Sequence, residues 1–459
     1  MNHPQSNRGN DIADVCIVGA GISGLTAGKA LAAAGIAYHC YERGSDIGGL
    51  WRYDNDSGTS SAYRSLHIDS SRQSIGYPDF PVPDHLPDYL SHEQVAEHFD
   101  RYADRFGLRG PIRFRSDVVA VSPDGDGWNV TVAPRDGGAS VTHRYRHVIL
   151  ANGHLTHPRL PEFPGTFDGE AIHSHYYKVA DPFDGKRVLV VGIGNSAVDI
   201  AVDLARRARS VLISTRRSAW IMPKYISGIP TDRWLRFMTT RLKMPVPMAR
   251  GVLRYIAQFT MGDQRRFGVP RPAHPIWREH ATLSQELLPY LGHGWIRMKP
   301  NIARLEGDQV AFVDGSREPV DAIIYATGYE TRFPFLDPSL FRVDEGRPPA
   351  LYRRIVPLDL PGLYFSGLVQ PIGATIPLVE VQGRWIAGVI GGRIALPDRA
   401  GMMAEIEEHR ARVARQYLDS PRYTLEVDAR SYTAALNADL AAAASNAGSA
   451  TEASRPAPA

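Results

Sequence analysis

The chain has 459 residues, of which 43% are hydrophobic and 22% are charged. This composition supports about two to four domains with a large buried core, and it excludes a wholly disordered chain. The formal net charge is +3 with the two signs interspersed, so a nucleic-acid-binding protein is not favoured.

Neither end of the chain has the composition of a packed segment. Residues 1–10 are polar and residues 444–459 are mostly small or proline, so both are predicted to be disordered tails. The N-terminus lacks the pattern of a signal peptide, and the apolar stretch from Trp385 to Pro397 is short and interrupted by Arg393. We therefore predict no membrane span.

The two cysteines, Cys16 and Cys40, form no C-x-x-C pair, zinc ligand set or disulfide framework. The sixteen histidines are scattered along the chain, and no metal-binding group stands out among them. The sequence therefore predicts no metal site, and a reducing, cytoplasmic location fits it best.

Apolar strand patterns alternate with helical patterns in two places about 170 residues apart. The predicted elements are a strand, a helix and a strand in each place: Val15–Gly19, Ser23–Ala34 and Tyr38–Tyr41, then Arg187–Val191, Ser196–Arg207 and Val211–Ser214. This order is typical of parallel βαβ units. Its repetition predicts an α/β fold with two dinucleotide-binding, Rossmann-like domains.

The first unit carries a dinucleotide-binding fingerprint. Gly19, Gly21 and Gly24 have the G-x-G-x-x-G spacing directly after a strand, and Glu42 ends the next strand. The glycines let a pyrophosphate approach the helix N-terminus, and the carboxylate can accept hydrogen bonds from ribose hydroxyls. A glycine triplet can also be a chance turn. Taken with Glu42, it predicts binding of FAD, with Ala20, Ile22 and Ser23 completing the loop.

The second unit differs at the end of its second strand. Gly192 and Gly194 stand in the glycine positions, but the acid is replaced by the run Ser214, Thr215, Arg216 and Arg217. Two guanidinium groups complement the 2′-phosphate of NADPH, whereas a solvated basic turn is the alternative. The two sites together imply hydride transfer from NADPH to FAD. Since no C-x-x-C is present, oxygen or a small molecule is left as the electron acceptor.

At this point the sequence resembles the flavin-containing monooxygenases over roughly residues 12–392. The most specific element is FDGEAIHSHYYK, which fits the family identifier through Phe167, Gly169, His173 and Tyr177. Related Baeyer–Villiger monooxygenases carry an identifier that ends in tryptophan, so Tyr177 points to the branch that oxidises heteroatoms. Five more segments agree in order: GGLW from Gly48, YRSLHIDSS from Tyr63, STRR from Ser214, ATGYETRFPFL from Ala326 and GLVQPIGATIPLVEVQGRW from Gly367.

The resemblance implies a domain organisation and a set of binding residues. The NADPH-binding domain, 161–328, is inserted into a discontinuous FAD-binding domain, 11–160 and 329–443. FAD is expected along the first glycine loop, Glu42, Gly49, Leu50, Trp51, Asp69 and Ser70. NADPH is expected along Asn195, Ser196, Arg216 and Arg217, with Gly328 and Gln370 also at the cofactors. His173 is expected to satisfy backbone groups at the domain junction rather than to act in catalysis.

Asp69 departs from the family pattern, because an asparagine usually occupies this position and is thought to protect the oxygenated flavin. An ionised carboxylate cannot donate a hydrogen bond as an amide does. Burial could keep Asp69 protonated and able to donate, or the side chain could turn toward solvent. We predict that Asp69 is the catalytic residue. It is also the feature that most favours the Baeyer–Villiger alternative.

The resemblance implies that oxygen adds to the reduced flavin as a C4a-(hydro)peroxide, which attacks a soft nitrogen or sulfur of a small substrate. The alternatives are Baeyer–Villiger oxygenation of ketones, or an NADPH oxidase or flavin-binding sensor that transfers no oxygen. An apolar insertion, from Trp220 to Arg297, is expected to line a substrate channel, to form a homo-oligomer contact or to pack as core.

Overall fold

In this computed structural model the described residues are 13–276, 278–343, 347–417 and 424–453. Two five-stranded parallel sheets organise them. The strands of the first sheet are β1 (Val15–Val18), β2 (Tyr38–Tyr41), β3 (Ile112–Arg113), β7 (His147–Leu150) and β25 (Leu363–Phe365). Their order is β25-β7-β1-β2-β3.

The second sheet repeats this design. Its strands are β10 (Glu170–His173), β11 (Arg187–Val191), β12 (Ser210–Ser214), β17 (Ile296–Lys299) and β21 (Ala322–Tyr325), in the order β10-β21-β11-β12-β17. All of these pairs are parallel. Because β25 follows the whole second sheet in the chain, the first sheet is discontinuous. This confirms the predicted fold class, while the domain boundaries stay a prediction.

Smaller sheets flank the two large ones. A three-stranded antiparallel sheet contains β4 (Ser116–Asp124), β5 (Gly127–Pro134) and β6 (Val141–Tyr145), and a four-stranded sheet contains β9 (Gly165–Phe167), β18 (Ile302–Gly307), β19 (Gln309–Phe312) and β20 (Arg317–Pro319). The two-stranded pairs are β8 (His157–Pro158) with β22 (Tyr329–Glu330), β13 (Ile221–Met222) with β16 (Thr282–Leu283), β14 (Tyr225–Ile226) with β15 (Ile229–Pro230), β23 (Leu351–Tyr352) with β24 (Val356–Pro357), and β26 (Gln370–Ile372) with β27 (Glu426–Asp428).

The α-helices are α1 (Ile22–Ala33), α2 (Arg72–Ile75), α3 (His92–Arg105), α4 (Asn195–Leu204), α5 (Thr231–Thr240), α6 (Val246–Met261), α7 (Leu287–Gly292), α8 (Thr375–Ile390), α9 (Arg399–Gln416) and α10 (Ala429–Ala453). Short 3-10 helices span Gly49–Trp51, Ser174–Tyr176, Asp181–Phe183 and Gln264–Phe267. Helices α1 and α4 follow the two glycine loops, as the sequence predicts.

Helix α8 packs closely on α1, and this contact positions the N-terminus of α8 beside the first glycine loop. Thr26 donates a hydrogen bond from Oγ1 to the carbonyl of Val379 at 3.2 Å. A Cβ at Gly383 would lie 2.8 Å from the carbonyl oxygen of Thr26, so glycine is what allows the two helices to approach. The buried side chains of both helices share one hydrophobic core with the first sheet.

Helix α10 corrects one expectation. The sequence analysis assigns residues 444–459 to a disordered tail, but α10 continues to Ala453. The reason is alanine, which has the most favourable helix propensity and is frequent from Ala429 onward. The predicted tail at residues 1–10 lies outside the described residues.

Candidate functional site

The first glycine loop joins β1 to α1, and two of its glycines are required by the protein itself. Gly19 has φ +101°, and a Cβ there would lie 2.7 Å from the carbonyl oxygen of Ala151 on the neighbouring strand connection. A Cβ at Gly24 would lie only 1.9 Å from the carbonyl oxygen of Gly19. Neither position can hold a larger residue without backbone movement.

Gly21 is different, because the protein alone does not require a glycine there. Its φ is −70°, and a Cβ would meet only the Cα of Gly49, at 3.8 Å. Gly21 caps α1 and borders a large cavity, so a Cβ would take space from that cavity at the N-terminus of the helix. This is where a pyrophosphate fits, because the first backbone N–H groups of a helix attract anions.

Glu42 follows β2 and is buried, with each carboxylate oxygen fixed by one backbone group. The N–H of Ala20 donates to Oε2 and the N–H of Gly44 donates to Oε1, both at 2.7 Å. Burial raises the pKa of Glu42, and the two hydrogen bonds oppose this shift without cancelling it. The carboxylate lines the cavity and keeps lone pairs that can accept from ribose hydroxyls.

One cavity of about 1020 Å³ contains the predicted FAD-binding residues. Those that line it are Gly19, Gly21, Ile22, Ser23, Glu42, Gly49, Leu50, Trp51, Asp69, Ser70 and Gln370, together with Asn195 from the second sheet. Ala20 and Gly24 do not line the cavity. The N–H of Ala20 donates to Glu42, and Gly24 packs against the carbonyl of Gly19. The N-terminal residues Thr375 and Ile376 of α8 also line the cavity, so this helix points its positive end toward it.

The second glycine loop has the same geometry as the first but lies away from this cavity. Gly192 has φ +127°, and a Cβ there would be 2.4 Å from the carbonyl oxygen of Ala326. Gly194 caps α4, and Ser196 is exposed in its first turn. Among the described residues that line the large cavity, this loop contributes Asn195 alone.

The four residues predicted to bind the 2′-phosphate at the end of β12 behave differently from one another. Ser214 is fully buried, and its hydroxyl donates to the carbonyl of Pro300 at 2.7 Å. Thr215 donates to the carbonyl of Arg217. Arg216 and Arg217 are exposed, and their side chains make no hydrogen bond or ion pair with any described residue. The two guanidinium groups are therefore open to an anionic ligand, whereas the Ser214 hydroxyl supports the adjacent chain.

Asp69 lines the cavity, where its carboxylate contacts a residue of the second glycine loop and a residue of the insertion. Asn195 donates from Nδ2 to Asp69 Oδ2 at 2.6 Å, and Lys224 Nζ lies 3.1 Å from Oδ1. The amide of Asn195 is oriented by the N–H of Leu283, which donates to its Oδ1 at 3.0 Å. The predicted alternative in which Asp69 turns toward solvent is wrong.

Desolvation of Asp69 outweighs the charges and hydrogen bonds that favour its ionised form. Burial raises the pKa of Asp69, although Lys224, Asn195 and His280 each favour the charged form. A second, partly buried carboxyl, Asp199 on α4, accepts a hydrogen bond from the hydroxyl of Tyr63 at 3.1 Å. Burial and then the charge of Asp69 raise the pKa of Asp199 as well. Lys224 forms an ion pair with Asp69, and its charge also opposes the rise in the pKa of Asp199.

Sequence reasoning missed Lys224 and Asp199 as site residues. Lys224 belongs to the insertion, which forms part of the cavity wall through Met222, Lys224, Leu235 and Leu253. The same segment packs a small core around Trp220, Met222 and Met238, so the core interpretation is confirmed. A lysine within an otherwise apolar run was the signal that could have pointed to this site.

His173 of the identifier segment satisfies backbone groups, as expected. The N–H of His175 donates to its Nδ1, so Nε2 carries the proton and donates to the carbonyl of Gly328 at 3.1 Å. Burial lowers the pKa of His173 to about 4. The hydroxyl of Tyr177 donates to Asp203 on α4 at 2.6 Å. The identifier segment therefore contacts both Gly328, after the last strand of the second sheet, and helix α4, which packs on that sheet.

Comparison with known proteins agrees with this geometry. A family model described as flavin-binding monooxygenase-like matches residues 13–446. The chain belongs to this family. Flavin-containing monooxygenase 5 of Rattus norvegicus is 37% identical over 431 residues, which cover 90% of this chain and 80% of the rat protein. Dimethylaniline monooxygenase (N-oxide-forming) 2 of Rattus norvegicus is 35% identical over 412 residues, which cover 86% and 76%.

Solved structures of similar proteins share the fold of this flavin-binding monooxygenase-like chain. The S-allyl-L-cysteine S-oxygenase from Allium sativum is 27% identical with a TM-score of 0.69, covering 93% of this chain and 88% of that one. Cyclohexanone monooxygenase has a TM-score of 0.68 at 16% identity and shows the fold alone. The chain is therefore a flavin-dependent monooxygenase, and FAD and NADPH are its cofactors.

Within the described ranges, no helix is both long enough and apolar enough to cross a membrane. The same part of the chain contains no group of three or more histidine, cysteine, aspartate or glutamate side chains placed to hold a metal ion.

Proposed function

We propose that this monooxygenase inserts one oxygen atom of O₂ into a soft nitrogen or sulfur atom of a small substrate. The observation that carries the proposal is the single cavity, which extends from the first glycine loop, past Asp69, to the apolar side chains Leu235 and Leu253 of the insertion. A flavin held by the loop and a substrate held by the insertion would then share one cavity.

The names of two relatives support this choice of substrate atom. The rat protein is an N-oxide-forming dimethylaniline monooxygenase, and the garlic protein is an S-oxygenase of S-allyl-L-cysteine. The family identifier of this chain ends in Tyr177–Lys178 rather than in tryptophan, which also favours heteroatom oxidation. The ammonium group of Lys178 donates to the carbonyls of Ser60 and Ala62.

The residues of the chain would bind and orient the two cofactors and the substrate. When bound, FAD supplies the redox chemistry by accepting a hydride from NADPH and passing electrons to oxygen. Gly21 and the α1 N-terminus would receive the FAD pyrophosphate, and Glu42 would accept from its ribose. Arg216 and Arg217 would pair with the 2′-phosphate of NADPH. Asp69 would hold Asn195 and Lys224 at the reacting end, and the apolar wall would exclude water.

Baeyer–Villiger oxygenation of ketones remains a second candidate, because Asp69 replaces the usual asparagine of the heteroatom-oxidising branch and lies in the cavity. Because its pKa is raised, Asp69 can hold a proton and donate a hydrogen bond to the carbonyl oxygen of a ketone.

The test is product analysis with the purified holoenzyme, NADPH and oxygen. Methyl phenyl sulfide and N,N-dimethylaniline should yield a sulfoxide or an N-oxide, with one product formed for each NADPH consumed. Cyclohexanone in a parallel reaction reports the second candidate through lactone formation. NADPH oxidation that yields only hydrogen peroxide would contradict both candidates, and a reaction without substrate sets the background.

A further inference from the structure

A histidine and a buried glutamate lie together at the insertion end of the cavity. His280 lines the cavity, and its Nε2 is 2.9 Å from Oε2 of Glu426. The side chain of Glu426 is fully buried. Glu426 lies on β27, which pairs in parallel with β26, and all three residues of β26 line the same cavity. His280 is thus part of the cavity wall, and Glu426 is buried beside it.

The other ring nitrogen of His280 is available. Among the described residues, none makes a hydrogen bond to Nδ1, and Nε2 is buried 2.9 Å from Glu426 Oε2 without the alignment of a hydrogen bond. With a carboxylate beside Nε2, the second nitrogen is the one that can exchange a proton with a bound substrate. Glu426 is then a positioning residue, and His280 is the residue that can touch a substrate.

The charged groups around the pair come from several elements. They are Asp69, Lys224, Arg250 on α6, Arg278 and Glu279 next to His280 in the chain, and Glu426 and Asp428 on β27. Lys224 is held by Asp69, and Arg250 lies 3.0 Å from Asp428. Arg278 donates to the carbonyl of Tyr417, and Glu279 lies 3.1 Å from Nε2 of His274. The carboxylate that contacts His280 is therefore Glu426.

We propose that His280 accepts, at Nδ1, the proton of an alkylammonium substrate, so that the site takes amines in their protonated form. The proposal rests on the proposed function and deepens it. An ammonium nitrogen has no lone pair, so it cannot be oxygenated until its N–H bond breaks. The transfer breaks that bond and forms an N–H bond on His280, and Glu426 compensates the positive charge.

The overall reaction balances with this proton. R₃NH⁺, NADPH and O₂ give R₃NO, NADP⁺ and H₂O, because one oxygen atom joins nitrogen and the other leaves as water with the hydride and the substrate proton. His280 returns to its neutral form when it releases the proton. A sulfide, or an aromatic amine that is unprotonated at neutral pH, brings no such proton and would not need His280.

The kinetic test compares His280→Gln with the wild-type holoenzyme on matched substrates. At about pH 7, we expect a loss of about 10- to 100-fold in kcat/KM for N,N-dimethylbenzylamine, within the range of general-base catalysis. This loss should shrink as the pH rises and the free amine becomes abundant. Methyl phenyl sulfide and N,N-dimethylaniline should change by less than about twofold.

His274→Gln is the matched control, because His274 also contacts a glutamate, Glu279, but does not itself line the cavity. It should leave all three substrates within about twofold of wild type. Equal losses for all three substrates in His280→Gln, at every pH, would show a merely structural contribution and overturn the proposal. An unchanged rate with N,N-dimethylbenzylamine would overturn it too.

A second measurement needs no turnover. In holoenzyme labelled with ¹³C at the Cε1 atom of histidine, the His280 signal is identified by its loss in His280→Gln. At about pH 8 and without NADPH, N,N-dimethylbenzylamine should shift this signal, because its ammonium N–H donates a hydrogen bond to Nδ1, and the sulfide should not shift it. Absence of the shift would contradict the proposal. Because wild-type product formation is measured separately, failure of this inference is distinguishable from failure of the proposed function.

Discussion

At the scale of single residues, the three glycines of the first loop illustrate which roles depend on the chain and which depend on a ligand. Gly19 and Gly24 are required by carbonyl oxygens of the protein at 2.7 and 1.9 Å, whereas Gly21 has room for a methyl group. The spacing alone predicted all three positions, because this loop is a local structure. The spacing could not show why glycine is needed at each position, because that depends on neighbours such as Ala151 and Gly49 that only the fold supplies.

This difference leads to a prediction for alanine substitutions. Gly21→Ala should leave the free energy of unfolding of the apoprotein nearly unchanged and weaken FAD binding by about 10-fold or more, since the methyl group occupies ligand space. Gly24→Ala should cost about 1–3 kcal/mol or more of stability because backbone atoms must move. Urea unfolding and titration with FAD measure the two effects. Equal destabilisation by both substitutions would refute the distinction.

At the scale of elements, the residues at the end of strand β12 differ in their environments although the sequence predicts one role for all of them. The run after Ile213 was predicted as one phosphate-binding group. Only Arg216 and Arg217 leave the sheet with exposed, unpaired guanidinium groups, while Ser214 is still within the strand and bonded to Pro300. Helix α10 is the converse case, because composition suggested disorder where alanine continues a helix.

The exposed end of β12 carries the prediction about the reductant. The double variant Arg216→Ala and Arg217→Ala should raise the KM for NADPH by about 10- to 100-fold, as expected for the loss of charge-assisted hydrogen bonds to a phosphate. The KM for NADH should change little. Arg209→Ala, directly before the other end of β12, serves as the control. If the KM for both nucleotides rises equally, the two arginines do not read the 2′-phosphate.

At the scale of the whole molecule, the contacts that the sequence analysis could not predict join segments from different parts of the fold. The discontinuous first sheet was predictable from the family pattern. The residues that line the cavity around the first glycine loop were predictable from motifs. The pairing of Asp69 with Asn195 and Lys224 was not, because it joins three segments that are far apart in sequence. The same holds for Asp199 with Tyr63, and for His280 with Glu426.

The raised pKa of Asp199 predicts how stability depends on pH. Its folded form holds a proton more tightly than the unfolded form, so its contribution to stability is complete at low pH and is lost as the pH rises through the folded pKa. Asp199→Asn should therefore raise the Tm by about 2–4 °C at pH 8 and by less at pH 5. Asp203→Asn, one turn along α4, is the control. A Tm difference that is the same at both pH values would contradict the prediction.

Strand β25 has a consequence for biosynthesis. It completes the first sheet by pairing with β7, yet the ribosome makes it only after every strand of the second sheet. We therefore expect the nascent chain to finish the later sheet first, while the earlier one waits with an unpaired edge along Val148–Leu150. During that interval the half-built sheet is exposed to chaperones and to mispairing, so FAD capture belongs to the last stage of maturation.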